Sequence, residues 1–392
     1  MSNEFNLPTK CAVIYWPVAT GDSTTLVLKP SELVMQIDLH HLEKAEDEES
    51  PEWSIVDHLV RILPKKNNRP YLALFVLTHP DEDHIKGFAE LLKRVQIGEI
   101  WHTPRIFRDQ EDQEKLCEDA KAFRKEAHRR RTAILANPSN IKSGDRMRVI
   151  GHDDILIEDD YKGLPSECKS RPADIVSKVD GNEISANFTA FIHAPFKEDQ
   201  AAGRNNTSLS LNVTLSEGQK SGQFFFFGDR EYRTTKQIFE VTEERKNESY
   251  LNWNVTLCPH HCSKGVMYAQ LEGDDEVKFR KDIMDYFEKY SQEGYFVSSS
   301  CPDFTDGEGD DPPHKLARQR YEEIVDAGHF ICTHEYPNKE KPQPLVFVID
   351  GDGFHLDDQR PKAKVPAAAA AAVQAARGAS QPPGTQVGFG TV

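Results

Sequence analysis

No apolar run in the 392-residue chain approaches the roughly 20 residues that a bilayer-crossing helix needs. The opening MSNEFNLPTK likewise lacks the apolar core of a secretory signal. Both absences argue against a membrane protein and for a cytoplasmic one. Cysteine is scarce: Cys11, Cys117, Cys168, Cys258, Cys262, Cys301 and Cys332 make an odd number with no Cys-x-x-Cys spacing, which excludes a disulfide framework and a finger-type zinc site. Positive charge is also short. With 48 Lys+Arg against 64 Asp+Glu the formal net charge is -16, so the chain as a whole cannot coat nucleic acid, although a local basic face stays open. There is no internal repeat. What is present is an ordinary hydrophobic fraction of 38%, enough for one large globular domain or two.

Along the chain, strand-like and helix-like patterns alternate. CAVIYWPVATGDSTTLVLKP and ELVMQIDLH read as two paired strands broken by a Gly-Asp turn and a proline. The charged EKAEDEESPEW reads as a surface loop, VDHLVRILPKK as a helix and residues 71–77 as a buried strand. Residues 109–131 are almost entirely charged, with RKEAHRRRTAI the most basic part, and this pattern predicts a solvated helix or, as the alternative, a basic face turned to substrate. Strand patterns recur at RMRVIG, FTAFIHA, SLSLNVTL, QFFFFGD and WNVTLCPHH. Then come a helix (KFRKDIMDYFEKYS), a strand (GYFVSSS), a helix (HKLARQRYEEIVDAG) and closing strands in FICTHE and PLVFVID. The expectation is two strand-rich halves with helices outside. After Leu356 the composition shifts to Ala, Pro, Gly and Ser, which cannot bury a core of its own. We therefore expect a globular domain over residues 1–358 and a disordered tail over 359–392.

The chemistry concentrates in one turn, LTHPDEDHIKGF. His79, Asp81, Asp83 and His84 stand where an apolar strand gives way to a helix. Gathering acids there is costly unless a cation neutralises them, and helix capping does not call for two histidines. FFFFGD ends similarly in Asp229, and NVTLCPHH in His260 and His261. Three strand ends thus offer metal-competent side chains, whereas His193 in FIHAP reads as a satisfied strand histidine.

Taken in order, these motifs resemble the metallo-β-lactamase fold, and within it the soluble hydrolase domain of ComEC competence proteins and its free-standing relatives. The resemblance runs from PVATGDSTTLV and MQIDLH through LTHPDEDHIKGF, NNTSLSLNV, FFFFGD and LCPHHCSKG to FVSSSCPD and PPHKLARQRYEEI. It implies an α/β fold, the αββα sandwich of two mixed sheets with helices outside. It also implies two divalent metal ions: His79, Asp81 and Asp229 at the first, Asp83, His84, Asp229 and His260 at the second, with Asp229 bridging. Asp81 stands where most such enzymes have a histidine, and Asn205 and Asn206 where they have another. That oxygen-rich first site favours Mn²⁺, with Zn²⁺ as the alternative. Asp83 and His314 are the expected catalytic residues, and Asn205, Asn206, His261, Ser263 and Lys264 the expected substrate contacts. Two departures stand out: Cys262 replaces the family's glycine after the double histidine, and its His-Pro appears reversed as Pro313-His314.

What the resemblance implies about activity is a metal-dependent phosphodiesterase acting on nucleic acid, most directly DNA, in a bacterial defence setting. Two alternatives stand beside it. One is a phosphoesterase for small molecules or cyclic nucleotides, which needs no basic groove; the other is a partner-bound component acting through the tail.

Overall fold

A computed structural model describes residues 5–46, 52–107, 116–158, 160–197, 205–307 and 311–358. The expected tail, residues 47–51 of the acidic loop and residues 109–115 of the charged run lie outside the described residues. The first sheet comprises β1 (Cys11–Tyr15), β2 (Thr24–Lys29), β3 (Leu33–Ile37), β4 (Lys65–Lys66), β5 (Arg69–Val76), β6 (Gln96–His102), β7 (Arg146–Ile150) and β8 (Lys169–Ser170). Two late strands, β20 (Leu345–Asp350) and β21 (Gly353–Leu356), complete it in the order β21-β20-β1-β2-β3-β5-β6-β7-β8, with β4 paired to β5. The second sheet comprises β9 (Ile175–Val176), β12 (Phe188–Ala194), β13 (Ser210–Glu217), β14 (Lys220–Phe226), β15 (Trp253–Leu257), β18 (Ser291–Ser298) and β19 (Phe330–Cys332), in the order β19-β18-β15-β14-β13-β12-β9. Short hairpins β10 (Lys178–Val179)/β11 (Asn182–Glu183) and β16 (Tyr268–Ala269)/β17 (Lys278–Phe279) lie outside both.

Each sheet is mixed in the same way. Hairpin-linked strands are antiparallel, and β3-β5-β6-β7 in one sheet and β14-β15-β18-β19 in the other are parallel. Period-2 alternation decides which side chain goes where. In β1, Cys11, Val13 and Tyr15 enter the core between the sheets, while Ala12 and Ile14 face the outer layer. Leu211, Val213 and Leu215 of β13 and Leu345, Phe347 and Ile349 of β20 meet in that same inner core.

Helices α1 (Ile55–Ile62), α2 (Glu82–Ile85), α3 (Phe88–Arg94) and α4 (Glu118–Ala136) accompany the first sheet; α5 (Asp153–Leu156) follows β7. Leu59 of α1, Phe88 and Leu91 of α3, and Phe123 and Ala127 of α4 build the outer core there. Over the second sheet lie α6 (Tyr232–Glu244), α7 (Lys281–Tyr290) and α8 (Lys315–Glu322), which bury Phe239, Phe287 and Tyr321. The layers are therefore helix, sheet, sheet, helix, the αββα sandwich expected from sequence. The expected helix at HKLARQRYEEIVDAG stops at Glu322, short of the predicted span. No helix among the described residues is long and apolar enough to cross a membrane.

The charged helix keeps a solvated face, with Glu118, Lys121, Lys125 and Arg129 exposed, but part of its basic run turns inward. Arg130 is buried, donates to Glu126 and caps the carbonyls of Ile97, Gly98 and Arg146. Arg129 pairs with Glu126 and Asp145, and Arg131 bonds the carbonyl of Asp160. Arg130 ties α4 to the ends of β6 and β7: a periodic reading marks charge as exposed, but a guanidinium can be buried when several acceptors surround it.

Arg130→Ala should cost roughly 1–3 kcal/mol in urea unfolding because the Ile97 and Arg146 carbonyls lose its guanidinium while Glu126 keeps Arg129, whereas Arg129→Ala should cost no more than about 1 kcal/mol. A second expectation concerns acid. Burial pushes the imidazoles of His102 and His193 down, to about 4 and about 3. Both values lie below the ordinary value of about 6.5, so the stability they contribute is complete above that pH and is lost as pH falls toward the folded values. His193→Gln should flatten the stability-versus-pH curve between pH 6 and 4 by up to about 1.4 kcal/mol per pH unit. An unchanged slope would show that His193 titrates normally.

Candidate metal centre

The polar residues of the HPDEDH turn lie at one end of the sandwich, where parallel strands of both sheets deliver their C-terminal ends. Asp38 follows β3, His79 follows β5, Asp229 follows β14 and the double histidine follows β15. Two Gly-Asp turns set this up. At Gly21 (φ +150°) an added Cβ would lie 2.1 Å from His40 Nδ1 and 2.8 Å from the Asp83 carbonyl; at Gly228 (φ +63°) it would lie 2.6 Å from Ser208 Cβ. Glycine therefore lets each following aspartate approach the opposite loop.

Asp229 offers one oxygen to each of two groups. Its Oδ1 lies 3.1 Å from His84 Nε2 and 3.5 Å from His261 Nε2. Those two nitrogens are 3.2 Å apart, and Asp83 Oδ2 is 3.1 Å from His261 Nε2 and 3.8 Å from His84 Nε2. These five spacings bracket the edge of roughly 3.3–3.4 Å that a tetrahedron of donors has when each sits 2.0–2.1 Å from a metal. The other oxygen, Oδ2, faces His79 Nε2 at 3.6 Å and His260 Nε2 at 3.7 Å, and Asp81 Oδ2 stands 3.9 Å from His79 Nε2.

A second layer turns these donors inward. His84 Nδ1 is 2.8 Å from Asp38 Oδ2, while Asp38 also accepts from the Thr78 amide (2.7 Å) and hydroxyl (2.5 Å). His261 Nδ1 faces Asp22 Oδ1 at 3.4 Å. In both histidines the carboxylate occupies the Nδ1 side, leaving Nε2 directed at Asp229 and Asp83, the carboxylate–imidazole arrangement of metal ligands. Asp22, His84, Asp229 and His261 all have a ligand atom within 4.8 Å of one another, and Asp22 is placed by the Nδ1 side among the orienting groups. A buried network supports Asp38 from behind: Trp16 donates to Thr25, Thr25 to Gln36, and Gln36 to Ser23 and the Asp38 carbonyl.

The electrostatics favour a cation. Asp22, Asp38, Asp81, Asp83 and Asp229 converge here, and Asp229 and Asp38 are buried. Burial alone would lower the His84 and His261 imidazoles, but the Asp229 carboxylate, joined by Asp83 and Asp38 at His84 and by Asp22 at His261, holds both well above the usual histidine range. Burial would raise Asp229, yet His84, His261 and His79 hold it well below the usual carboxylate range. Asp229 Oδ1 and His79 Nε2 are nevertheless buried without a hydrogen-bond partner. Polar atoms that approach to 3.1–3.7 Å and do not bond one another aim at a common point, and leaving them so costs roughly 1–3 kcal/mol each. The donor set fits a pair of divalent ions.

Several sequence-assigned residues take other places. His261, expected as a substrate contact, occupies the position beside Asp83 and His84 expected of His260, and His260 turns to the Asp229 oxygen nearest His79. The reason is the backbone: His260, His261 and Cys262 all have left-handed φ (48°, 51° and 67°), a sharp twist that swaps the faces two consecutive residues present. Such conformations cost non-glycine residues on the order of 1 kcal/mol or more each. Cys262, where the family has glycine, adopts that conformation while its side chain joins the outer apolar core. His314 is buried, bonded through its amide to the Cys262 carbonyl, and its Nδ1 accepts the Lys264 amide. The Ser263 hydroxyl accepts the Gly265 amide within its own loop, and Lys264 Nζ donates to the Gly307 carbonyl in the segment after β18. Asn206 Oδ1 accepts from Thr234, and the Asn205 carbonyl accepts from Ser208. Asp22 and Asp38 were missed as site residues, although each ends or begins a strand as Asp229 does. A cavity of about 330 Å³ between Arg171, Phe191, Val241 and Arg245 contains none of the cluster.

No protein-family model and no curated protein matches the chain. Among solved structures it is similar to the metallo-β-lactamase fold protein YhfI from Bacillus subtilis, at 11% identity over 82% of this chain and 96% of that one, with a TM-score of 0.37. It is also similar to the class B3 di-zinc metallo-β-lactamase LRA-12 from an Alaskan soil metagenome (11% identity, 73% and 91% covered, TM-score 0.31). A third is the archaeal superfamily protein ST1585 from Sulfolobus tokodaii (14%, 81% and 97%, TM-score 0.29).

After chelation and gel filtration, titration with Zn²⁺ or Mn²⁺ should reach about two ions per chain and raise the thermal midpoint, by the equivalent of about 2.7 kcal/mol for each site at a hundredfold excess over its Kd. Asp229→Asn should abolish the rise, and Asp38→Asn should retain it with affinity weakened about 10–100-fold. No calorimetric response to either metal would show that the cluster is not a metal centre.

Proposed function

We propose that the chain is a metal-dependent hydrolase of the metallo-β-lactamase type that cleaves phosphodiesters. The observation that carries this reading is Asp229, whose two oxygens each face a separate histidine–aspartate group. A pair of divalent ions bound there would supply an activated water and charge compensation for a phosphoryl group. His79, Asp81 and His260 would hold one ion with Asp229 Oδ2; Asp83, His84 and His261 the other with Oδ1. Asp38 and Asp22 keep the His84 and His261 rings turned for that purpose. His314 accepts the Lys264 amide at Nδ1, so in the neutral ring the proton sits on Nε2, which can donate a hydrogen bond to a leaving oxygen. Asp81 in place of a third histidine supports Mn²⁺ at the first group, with Zn²⁺ as the alternative.

Within phosphodiesters, the ComEC-like motif series supports DNA or another polynucleotide as substrate, in a defence setting. A second reading, a small or cyclic phosphodiester, draws on a different observation: Arg129 and Arg130 are consumed in internal ion pairs and carbonyl bonds, so they do not supply a basic groove for a chain carrying -16. A partner docked through the tail remains a proposal about residues outside the described ones.

Metal-reloaded protein should hydrolyse bis(p-nitrophenyl) phosphate. Asp83→Asn should abolish this, and His314→Gln should slow it about 10²-fold without changing metal content. Cleavage of single-stranded or duplex DNA or RNA that falls steeply with added salt would select the polynucleotide reading, and activity confined to small diesters the second. Metal-loaded protein inert toward every phosphodiester would overturn both.

A further inference from the structure

Asp22 reaches His261 from the loop that joins β1 to β2. Ala19 has a left-handed backbone (φ 59°), unfavourable for a residue with a Cβ, and the loop's base is closed by the Trp16 amide donating to the Ser23 carbonyl at 3.1 Å. The loop belongs to the first sheet, yet further fastenings come from the ends of the last two parallel strands of the second. His334, in the turn after β19, accepts the Ala19 amide at Nδ1 (3.2 Å). Its Nε2 lies 3.0 Å from Glu52 Oε2, and the other Glu52 oxygen pairs with Lys44 at 2.7 Å. Ser299, just after β18, donates its hydroxyl to the Gly21 carbonyl at 2.5 Å, and the Cys301 amide donates to Thr20 Oγ1 at 3.4 Å. His334 and Ser299 are 7% and 3% exposed, so these bonds face no competition from bulk water. Beyond them, the Asp22 amide donates to the Asp83 carbonyl at 3.0 Å, and Asp22 Oδ1 faces His261 Nδ1.

We propose that His334 and Ser299 are positioning residues for the metal centre: by fixing the Ala19 amide and the Gly21 carbonyl they hold Asp22 against His261 Nδ1, and so set the direction of His261 Nε2. The role rests on the reading of the cluster as a metal centre. It needs one specific atom, an acceptor at the place of His334 Nδ1. Because the donor at Ala19 is an amide, Nδ1 must be unprotonated, and the neutral ring then carries its proton on Nε2 toward Glu52.

The variants separate the two ends of the ring. In His334→Asn a side-chain oxygen can stand near the Nδ1 position and receive the Ala19 amide; in His334→Gln the amide group reaches toward Glu52 and Ala19 is left without its acceptor. With Co²⁺ as probe on the full chain, His334→Asn should bind within about twofold of the parent, whereas His334→Gln and, independently, Ser299→Ala should bind about tenfold more weakly. The latter two should also shift the visible d–d absorption of the bound cobalt, which a general loss of stability would not do. Equal affinities and spectra in all three variants and the parent would overturn the role. So would parallel losses in both His334 variants that track their thermal midpoints, since that is the pattern of a merely structural residue. A parent protein that binds no Co²⁺ would instead sink the metal-centre reading, and this role with it.

Discussion

Five carboxylates converge at the end of a two-sheet sandwich, and the need to neutralise them governs the surrounding structure. Asp38 and Asp229 are buried, and Asp22 and Asp83 stand against the same pair of imidazoles. Removing such charges from water is tolerated only with compensating positive charge and a full set of hydrogen bonds. His84 and His261 meet part of that demand by being drawn toward the protonated state, but their Nε2 atoms then face each other at 3.2 Å, a poor arrangement for two cations. Divalent ions bound there would resolve the conflict, because each would neutralise acids while accepting imidazole nitrogen as a ligand.

Part of the backbone strain lies at this end of the sandwich. Three consecutive left-handed residues at His260–Cys262, another at Asp38 and a fifth at Ala19 all lie on loops that form or support the cluster. Regular strands below them provide the rigidity. The core between the sheets is continuous and apolar from Cys11 to Ile349, so the loop ends cannot relax by sliding one sheet over the other without exposing it. Site geometry is thus held by layers that contain no site chemistry.

Basic charge follows a different logic. In α4 Arg130 is a structural tie to the ends of β6 and β7, and charge density along the sequence says little about what is available at the surface. The same holds for Lys264, whose ammonium is committed to the Gly307 carbonyl.

Much of the architecture was legible locally. Alternating apolar residues in β1, β13 and β20 reveal their two faces, and strands that end in Asp or His mark the cluster, because a strand's period and its termination are properties of adjacent residues. His79, Asp81, Asp83, His84 and Asp229 could be singled out on that basis. The same signal, a carboxylate at a strand boundary, was available for Asp22 and Asp38 but reads equally well as a turn. What only the tertiary structure decided is the division of labour. His261 rather than His260 meets Asp83 because a left-handed backbone exchanges their directions, and that backbone is sustained by contacts remote in sequence. Arg130 is buried because carbonyls at the starts of two other segments, β6 and β7, surround it. Residues 299 and 334 reach a loop at 19–22 because the two sheets pack face to face. Local pattern specifies which residues could do chemistry; long-range packing determines which atom of each points where.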